Sequence, residues 1–255
     1  MALTLTPLPG IPMVQPGDDL AEFIRQALDR ARIVLSDGDI LVLAQKVVSK
    51  AEGRQVNLTS IVASSTAEEL AKQIGKDPRV VELIIRESRE VLRTRLGTIV
   101  VEHRLGFVCA NAGIDHSNVK GEGSSTEEWV LMLPEDPDSS ASALRRHLEA
   151  SSGVRLGVLI IDSHGRAWRM GTAGVAIGLS GLPGLVDLRG ENDLFGYTLR
   201  ITQVGAADEL ASAASLIMGQ AGEGTPVVHV RGFPYPLREG CLEELLRPRE
   251  LDLFR

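Results

Sequence analysis

One of the two longest stretches of this chain without a charged side chain, Met170 to Val186, is 17 residues long and is interrupted by Gly171, Gly174, Gly178, Gly181, Pro183 and Gly184. A membrane-spanning helix needs about 20 apolar residues in unbroken register. The stretch therefore predicts a glycine-rich loop or a closely packed segment, and no membrane partner is expected. The remaining apolar residues fall in short runs bounded by turns, as in a globular protein built from brief strands and amphipathic helices.

The chain has 255 residues, 44% of them apolar and 24% charged, the composition of one large domain or two intimate small ones around a packed core. Lys and Arg number 27 against 34 Asp and Glu, a formal charge of -7. That balance argues against a nucleic-acid partner, because gripping a phosphate backbone takes clustered positive charge. Anionic small molecules stay accessible through a few converging Lys and Arg side chains, or through carboxylate-held divalent ions. Cys109 and Cys241 lie far apart, which suggests neither a disulfide framework nor a thiolate metal site and favours a reducing cytoplasm. The start, Met1 to Gly10, is broken by Pro7 and Pro9 and lacks the order of a secretion signal.

Leu20, Phe23, Ile24, Ala27 and Leu28 recur at helical spacing behind Asp18 and Asp19, which predicts a capped amphipathic helix over Asp18 to Arg30. Ile40 to Ala44 reads as a buried strand after an Asp37-Gly38-Asp39 turn. Thr66 with Glu69 makes a capping box for a helix to Lys76. Asp77-Pro78 opens another helix, with Val81, Ile84, Ile85, Val91 and Leu92 as its apolar face. Strands are expected over Thr98 to Val101, Leu105 to Cys109, Val154 to Ile161, Leu199 to Val204 and Pro226 to Val230, and helices over Ser139 to Ser151 and Asp208 to Met218. No regular alternation of strand and helix emerges, and no linker divides the chain. The reading is an α+β fold with mixed, largely antiparallel sheets and two intergrown lobes, one domain over residues 1–255.

Polar loops are expected directly after apolar strands at Gln45 to Arg54, Asn111 to Asn118, Asp162 to Arg169 and Gly219 to Thr225. The P-loop, the dinucleotide fingerprint, HExxH and GxSxG are all missing. Asp115 and Asp162 are candidate ligands for Mg²⁺ or Mn²⁺, which favour carboxylate oxygens completed by water and phosphate; either is equally readable as a turn former. Lys46 and Lys50, four apart, would share one helix face and suit a polyphosphate, or form a solvated basic edge. Arg54, Arg166 and Arg169 could join that patch. The stretch Met218-Gly-Gln-Ala-Gly-Glu-Gly-Thr225 could close its amides on phosphate. His116 and His164 beside the two Asp residues keep a metal-dependent phosphohydrolase open as an alternative.

Five segments in order carry a resemblance. Ile11-Pro12-Met13-Val14, Val48-Ser-Lys50-Ala-Glu-Gly-Arg54, Asn111-Ala-Gly-Ile-Asp115-His-Ser-Asn118, Ile161-Asp162-Ser-His-Gly-Arg166 and Met218-Gly-Gln-Ala-Gly-Glu-Gly224 resemble the coenzyme F-420 gamma-glutamyl ligase family over nearly the whole chain. The resemblance implies an amide ligase that joins L-glutamate to a deazaflavin coenzyme precursor and extends a gamma-linked tail. It also implies GTP as co-substrate, Mg²⁺ or Mn²⁺ with K⁺ as a further ion, and a cytoplasmic homodimer.

By position, Asp115, Asp162, Ser163 and Gln220 resemble the family's metal ligands. Ile11, Pro12, Met13, Val14, Gln45, Lys46, Lys50, Asn118 and the loop Met218, Gly219, Gln220, Ala221, Gly222, Glu223, Gly224, Thr225 resemble its GTP contacts. The resemblance gives Asp115, Asp162 and Lys50 catalytic roles, Lys50 meeting the phosphates. Gln45 and Lys46 depart from the small hydroxyl side chains found in some members, and other members carry Glu where this chain has Gln220. The length leaves no room for the reductase domain fused to some members, so a stand-alone ligase is expected. A non-catalytic deazaflavin carrier is the remaining alternative.

Overall fold

The computed structural model describes residues 2–119 and 128–253. Among them the strands, in chain order, are β1 (Thr4–Pro7), β2 (Ile40–Ala44), β3 (Gln55–Asn57), β4 (Ser88–Arg95), β5 (Thr98–His103), β6 (Val108–Ala110), β7 (Trp129–Leu131), β8 (Gly157–Gly165), β9 (Thr172–Ser180), β10 (Val186–Asp187), β11 (Gln203–Val204) and β12 (Val227–Arg231). The helices are α1 (Leu20–Ala31), α2 (Gln45–Ala51), α3 (Ser65–Ile74), α4 (Pro78–Arg86), α5 (Pro137–Ser152) and α6 (Ala206–Met218). The central sheet runs β1-β12-β2-β8-β9, with β2 and β8 parallel and its other pairings antiparallel. The smaller sheets, β4-β5-β6, β3-β7 and β10-β11, are antiparallel. The fold is α+β, as the sequence predicts.

Both faces of the central sheet are covered, which is why β2 is apolar at every position rather than at alternate ones. Leu41, Leu43, Val158 and Ile160 point to one face and pack with Ile24, Ala27 and Leu28 of α1 and Ala141 and Leu148 of α5. Ile40, Val42, Leu159 and Ile161 point to the other and meet Ala207, Leu210, Ala211 and Ala214 of α6. Each fully buried Leu or Ile contributes roughly 1.5–3 kcal/mol. The second lobe has its own core, in which Leu58, Ile74, Val81, Ile84, Ile99, Val101 and Val130 are buried between α3, α4 and the two small sheets. Phe107 packs against both cores and joins the lobes.

Local expectations hold where a cap and a period agree. Asp19 caps α1 by accepting from the N–H groups of Ala21 and Glu22, and Asp77 caps α4 from Arg79 N–H. Elsewhere the structure corrects the reading. The helix begun at Asp77 stops at Arg86, and Val91 and Leu92 lie in β4, paired with β5 through the two-residue turn Leu96-Gly97. The cap of α3 is Ser64, not Thr66: the buried Glu82 accepts the Ser64 hydroxyl at 2.6 Å and holds it over Ala67 N–H. Leu199 to Val204 forms regular strand only at Gln203–Val204, with single backbone bonds joining Leu199 to Gly190 and Glu191 and Thr202 to Leu188, because this arm is exposed and little burial enforces a longer ladder.

The glycine-rich stretch is mostly strand β9, not loop, and it is closely packed as expected. A Cβ at Gly174 would come within 2.5 Å of the Ala211 carbonyl oxygen of α6, and one at Gly178 within 2.3 Å of Pro137 on α5. Glycine is placed where two helices press on a strand from opposite sides. Both helices also send carboxylates to it: Asp208 accepts from Ala176 N–H at 2.9 Å and Asp138 from Leu179 N–H at 2.7 Å, next to the register shift in the β8-β9 pairing.

Candidate active site

The sheet's topology brings the singled-out segments to one end of it. Because β2 and β8 are parallel, their last paired residues, Ala44 and Ile161, lie side by side. β12 is antiparallel to β2 and begins there, with Ala44 N–H donating to Pro226 O at 2.8 Å. β1 ends there, with Leu8 N–H donating to Val227 O at 2.9 Å. Four stretches thus leave or enter the sheet together: the one after β1, α2, the far part of β8, and the turn before β12. Such an edge, beyond the carboxyl ends of parallel strands, is where ligands settle in open sheets. The second lobe adds the Asp115 loop, anchored by Asp115 N–H and C=O bonds to Leu131.

Side chains tie these stretches together. On α2, Lys46 and Lys50 lie one turn apart, as their spacing predicts. Lys46 Nζ lies 2.6 Å from Asp115 Oδ2 and donates to Ser117 Oγ at 2.6 Å and Ser117 O at 3.2 Å. Lys50 Nζ donates to Asn118 O at 2.8 Å. Asn118, itself in the left-handed region at φ 58°, donates from Nδ2 to Ala221 O at 3.3 Å. Gln220 accepts Ser163 Oγ at 2.8 Å and donates to Ser215 Oγ at 2.8 Å. One chain of polar contacts therefore runs from α2 through residues 115–118 to residues 220–221 and on to Ser163.

Electrostatically the two lysines differ. Lys50 is 8% exposed, and burial, then the neighbouring Lys46 charge, holds its pKa below the ordinary 10.5. Its partner is a neutral carbonyl. Burial alone would push the Asp115 carboxyl up, but the Lys46 hydrogen bond and the Ser117 N–H overcome it and leave the pKa below 3.8.

Asp162 sits inside β8 rather than after it. Alternate strand residues face opposite sides, so Asp162 and Ser163 diverge: Ser163 turns to Gln220 beside α6, while Asp162 turns to the second lobe. There its charge, after burial, helps raise the Cys109 thiol to about 12. His164 Nε2 lies 3.0 Å from Asp162 Oδ2, in contact but not aligned as a hydrogen bond. The His164 ring tilts on Phe107, which stacks on the buried His103.

The turn after α6, expected to follow a strand, follows a helix. It is closed by Glu223, whose Oε2 accepts Ala221 N–H at 2.8 Å; that bond and those from the N–H groups of Glu223 and Gln220 lower the Glu223 pKa. Thr225 Oγ1 donates to Met218 O at 3.0 Å. The amides of this turn already hold a carboxylate.

Other candidates lie elsewhere or are engaged. Gln45 is buried, and its Oε1 accepts Ser49 Oγ at 2.8 Å. Arg54 does not join the patch: it donates to Leu133 O and to Glu87, inside the seam between the lobes. Arg166 donates to Met170 O at the exposed tip between β8 and β9, where Arg169 N–H bonds to Arg166 O. His116 lies within electrostatic reach of Asp77. Of Ile11 to Val14, Val14 is core and Met13 exposed; Gly17 N–H, just beyond, donates to Ala51 O and sets this segment against α2. Sequence reasoning missed Ser117 and Ser215, whose hydroxyls acquire meaning only through long-range partners. It also missed Phe107, which stacks on His103 and meets His164; it lies just before β6, because the expected strand Leu105 to Cys109 pairs only over Val108–Ala110.

Comparison with known proteins follows this geometry. The sequence pattern of a family described as F420-0:Gamma-glutamyl ligase matches residues 10–232. A protein named coenzyme F420:L-glutamate ligase from Methanothermobacter thermautotrophicus is 49% identical over 257 aligned positions, covering 100% of both chains. Proteins of the same name from Methanopyrus kandleri and Archaeoglobus fulgidus are 48% and 43% identical, over 99% and 100% of this chain and 98% and 97% of theirs.

Proposed function

Because the chain belongs to the F420-0:gamma-glutamyl ligase family, we propose that it couples L-glutamate to the deazaflavin coenzyme F420 or its glutamate-free precursor, spending GTP and releasing GDP and phosphate. The observation that carries the nucleotide part of this reading is Lys50, a buried ammonium facing a neutral carbonyl at the end of the sheet where four stretches converge. A buried cation without a counter-charge is costly unless an anion completes it. The turn Met218–Thr225 supports the same conclusion, since amides that bind a carboxylate oxygen bind a phosphate oxygen by the same geometry.

The chemistry needs this arrangement. An acceptor carboxylate oxygen attacks the γ-phosphorus, the bond to the β-phosphate oxygen breaks, and GDP leaves behind an acyl phosphate. The glutamate amine then attacks the acyl carbon, loses a proton, and displaces inorganic phosphate to give the amide. Lys50 offsets charge on the transferred group. Asn118 and the Gln220–Thr225 amides fix the nucleotide, with Ile11 to Val14 and the start of α2 beside it.

Asp162, Ser163, Gln220 and Asp115 are hard oxygen donors, the chemistry that Mg²⁺ or Mn²⁺ takes, with K⁺ as a further charge-balancing ion. Among the described residues no three His, Cys, Asp or Glu side chains gather for a metal. A cation here would complete its shell with phosphate and water. Bound there, it would supply neutralisation between the phosphate and the acceptor carboxylate.

The exposed apolar residues of the β10-β11 arm, Leu194 at 98% and Phe195 at 95%, support the homodimer, which sedimentation checks. The test of the function is incubation with precursor, GTP, L-glutamate and Mn²⁺, read by mass spectrometry and GDP release. A glutamyl mass gain matched by GDP is expected. Phosphate release without glutamate would instead favour the hydrolase reading, for which the Asp162–His164 contact is the motivation.

A further inference from the structure

Lys50 stands on one lobe and faces residues carried by the other, so its setting depends on what fixes the lobes to each other. Its helix, α2, packs through Val47 and Val48 into the core of the central sheet. Asn118 belongs to the loop that Asp115 anchors to Leu131 of β7. The chain crosses from α2 to β3 at Arg54. Gly53, at φ 69°, makes the turn, and Arg54 N–H donates to Ser49 O at 2.9 Å, which ties Arg54 back to the helix beside Lys50. From there Arg54 holds the other side of the seam at three points. Its carbonyl accepts Met132 N–H at 3.1 Å, its Nε donates to Leu133 O at 2.8 Å, and its Nη2 donates to Glu87 Oε2 at 3.2 Å. Met132 and Leu133 follow directly on Leu131, the residue that holds the Asp115 backbone.

Glu87 closes the seam. It is 8% exposed, and Arg104 Nε donates to the same carboxylate oxygen at 2.9 Å. A guanidinium presents its donors in a rigid plane, so one that bridges a carbonyl and a carboxylate fixes distance and angle together; an ammonium on a flexible stem does not. Removing Arg54 leaves Arg104 on Glu87, so the buried carboxylate keeps a counter-charge. We propose that Arg54 is a positioning residue for phosphoryl transfer: its link from α2 to Leu133 and Glu87 sets the distance across the seam between Lys50 and the Asp115 loop. Lys50, on the transferred phosphate, and Asp115, among the oxygen donors for a divalent ion, then meet one nucleotide from two sides. Misplacing such a group by about 1 Å costs on the order of 10² in rate. The inference rests on GTP-dependent ligation as the activity.

The experiment measures kcat per folded molecule, with precursor, GTP, L-glutamate and Mn²⁺, on the full chain and on Arg54→Met, Arg54→Lys, Arg104→Met, Lys50→Met and the double variant of Arg54→Met with Lys50→Met. Circular dichroism gives the folded fraction of each. Arg54→Met is expected to lower kcat by roughly 10- to 100-fold. Arg54→Lys, which keeps the charge without the planar fork, is expected not to restore it. Arg104→Met takes the other guanidinium from Glu87 and should stay within about twofold of wild type, because Arg104 does not hold α2. Because Arg54 acts through Lys50, the double variant should be within about twofold of Lys50→Met alone. Wild-type kcat in Arg54→Met, full rescue by Arg54→Lys, an equal loss in Arg104→Met, or losses that multiply in the double variant would each overturn the proposal. If Arg54→Met does not fold, Arg54→Lys alone and combined with Lys50→Met decides by the same criteria. Any of these outcomes with an active wild type sinks this inference alone; a wild type without GTP-dependent turnover sinks the ligase reading and the inference with it.

Discussion

Strand β2 is bracketed by two buried charges with opposite settlements. Asp39, just before it, is 1% exposed and fully answered: it accepts from Arg231 at 2.6 and 2.8 Å and from Ser36 N–H at 2.9 Å, and lies 2.9 Å from His229 Nε2. Lys50, beyond its other end, is nearly as buried and, among the described residues, is answered by one carbonyl. The same sheet thus has a balanced end and an unbalanced one. A closed network of charge holds a fold together; an open charge waits for a ligand.

Substitutions can break this contrast. Lys50→Met is expected to lower kcat/KM for GTP by roughly 10²- to 10³-fold, the loss typical of one preorganised group on a developing charge. Its melting temperature should not fall, since an uncompensated buried ammonium is removed. Normal turnover, or a large drop in melting temperature, would put Lys50 in the structural class with Asp39. Asp39→Asn should do the reverse: weakening a buried charge network by one partner costs about 3 kcal/mol, and turnover per folded molecule stays unchanged. Thermal melting beside a specific-activity assay checks both.

pH sharpens the same comparison with a smaller effect. Burial would raise the Asp39 pKa, but the Arg231 and His229 bonds win and hold it below 3.8. Its stabilisation is therefore complete above that value and lost as pH falls through the lower, folded one. Lys50 is depressed by burial and by Lys46. The fold gains stability as pH rises from that lower, folded pKa to 10.5. Unfolding followed against pH should show Asp39→Asn flattening the acid limb and Lys50→Met the alkaline limb. The smallest effect is expected from Glu223→Gln: weakening the internal carboxylate on the turn's amides should tighten GTP roughly two- to fivefold, read by calorimetry. Weaker binding would mean that Glu223 shapes the turn rather than fills it.

The contrast also explains what the sequence could reveal. α1 and β2 are legible because caps, period and burial agree within a dozen residues. β4 was hidden by two apolar residues that continue a helical period after Arg86, although the Leu96-Gly97 turn was available as a hairpin signal. β9 was hidden because glycine reads as loop until the helices pressing on it are known. At the site, Lys46 and Lys50 on one face followed from spacing alone. Their difference did not, because it depends on Ser117 and Asn118, about seventy positions away in sequence. The same holds for Arg54, basic and close to Lys50 in the chain yet committed to Glu87.

The account's central claim is that this open end of the sheet lets a nucleoside triphosphate activate a carboxylate. The direct measurement uses acceptor labelled with oxygen-18 in the reacting carboxyl group, with the released inorganic phosphate analysed by mass spectrometry. One labelled oxygen per phosphate, appearing in step with the glutamylated product, is the expected result. Unlabelled phosphate alongside the same product would contradict it.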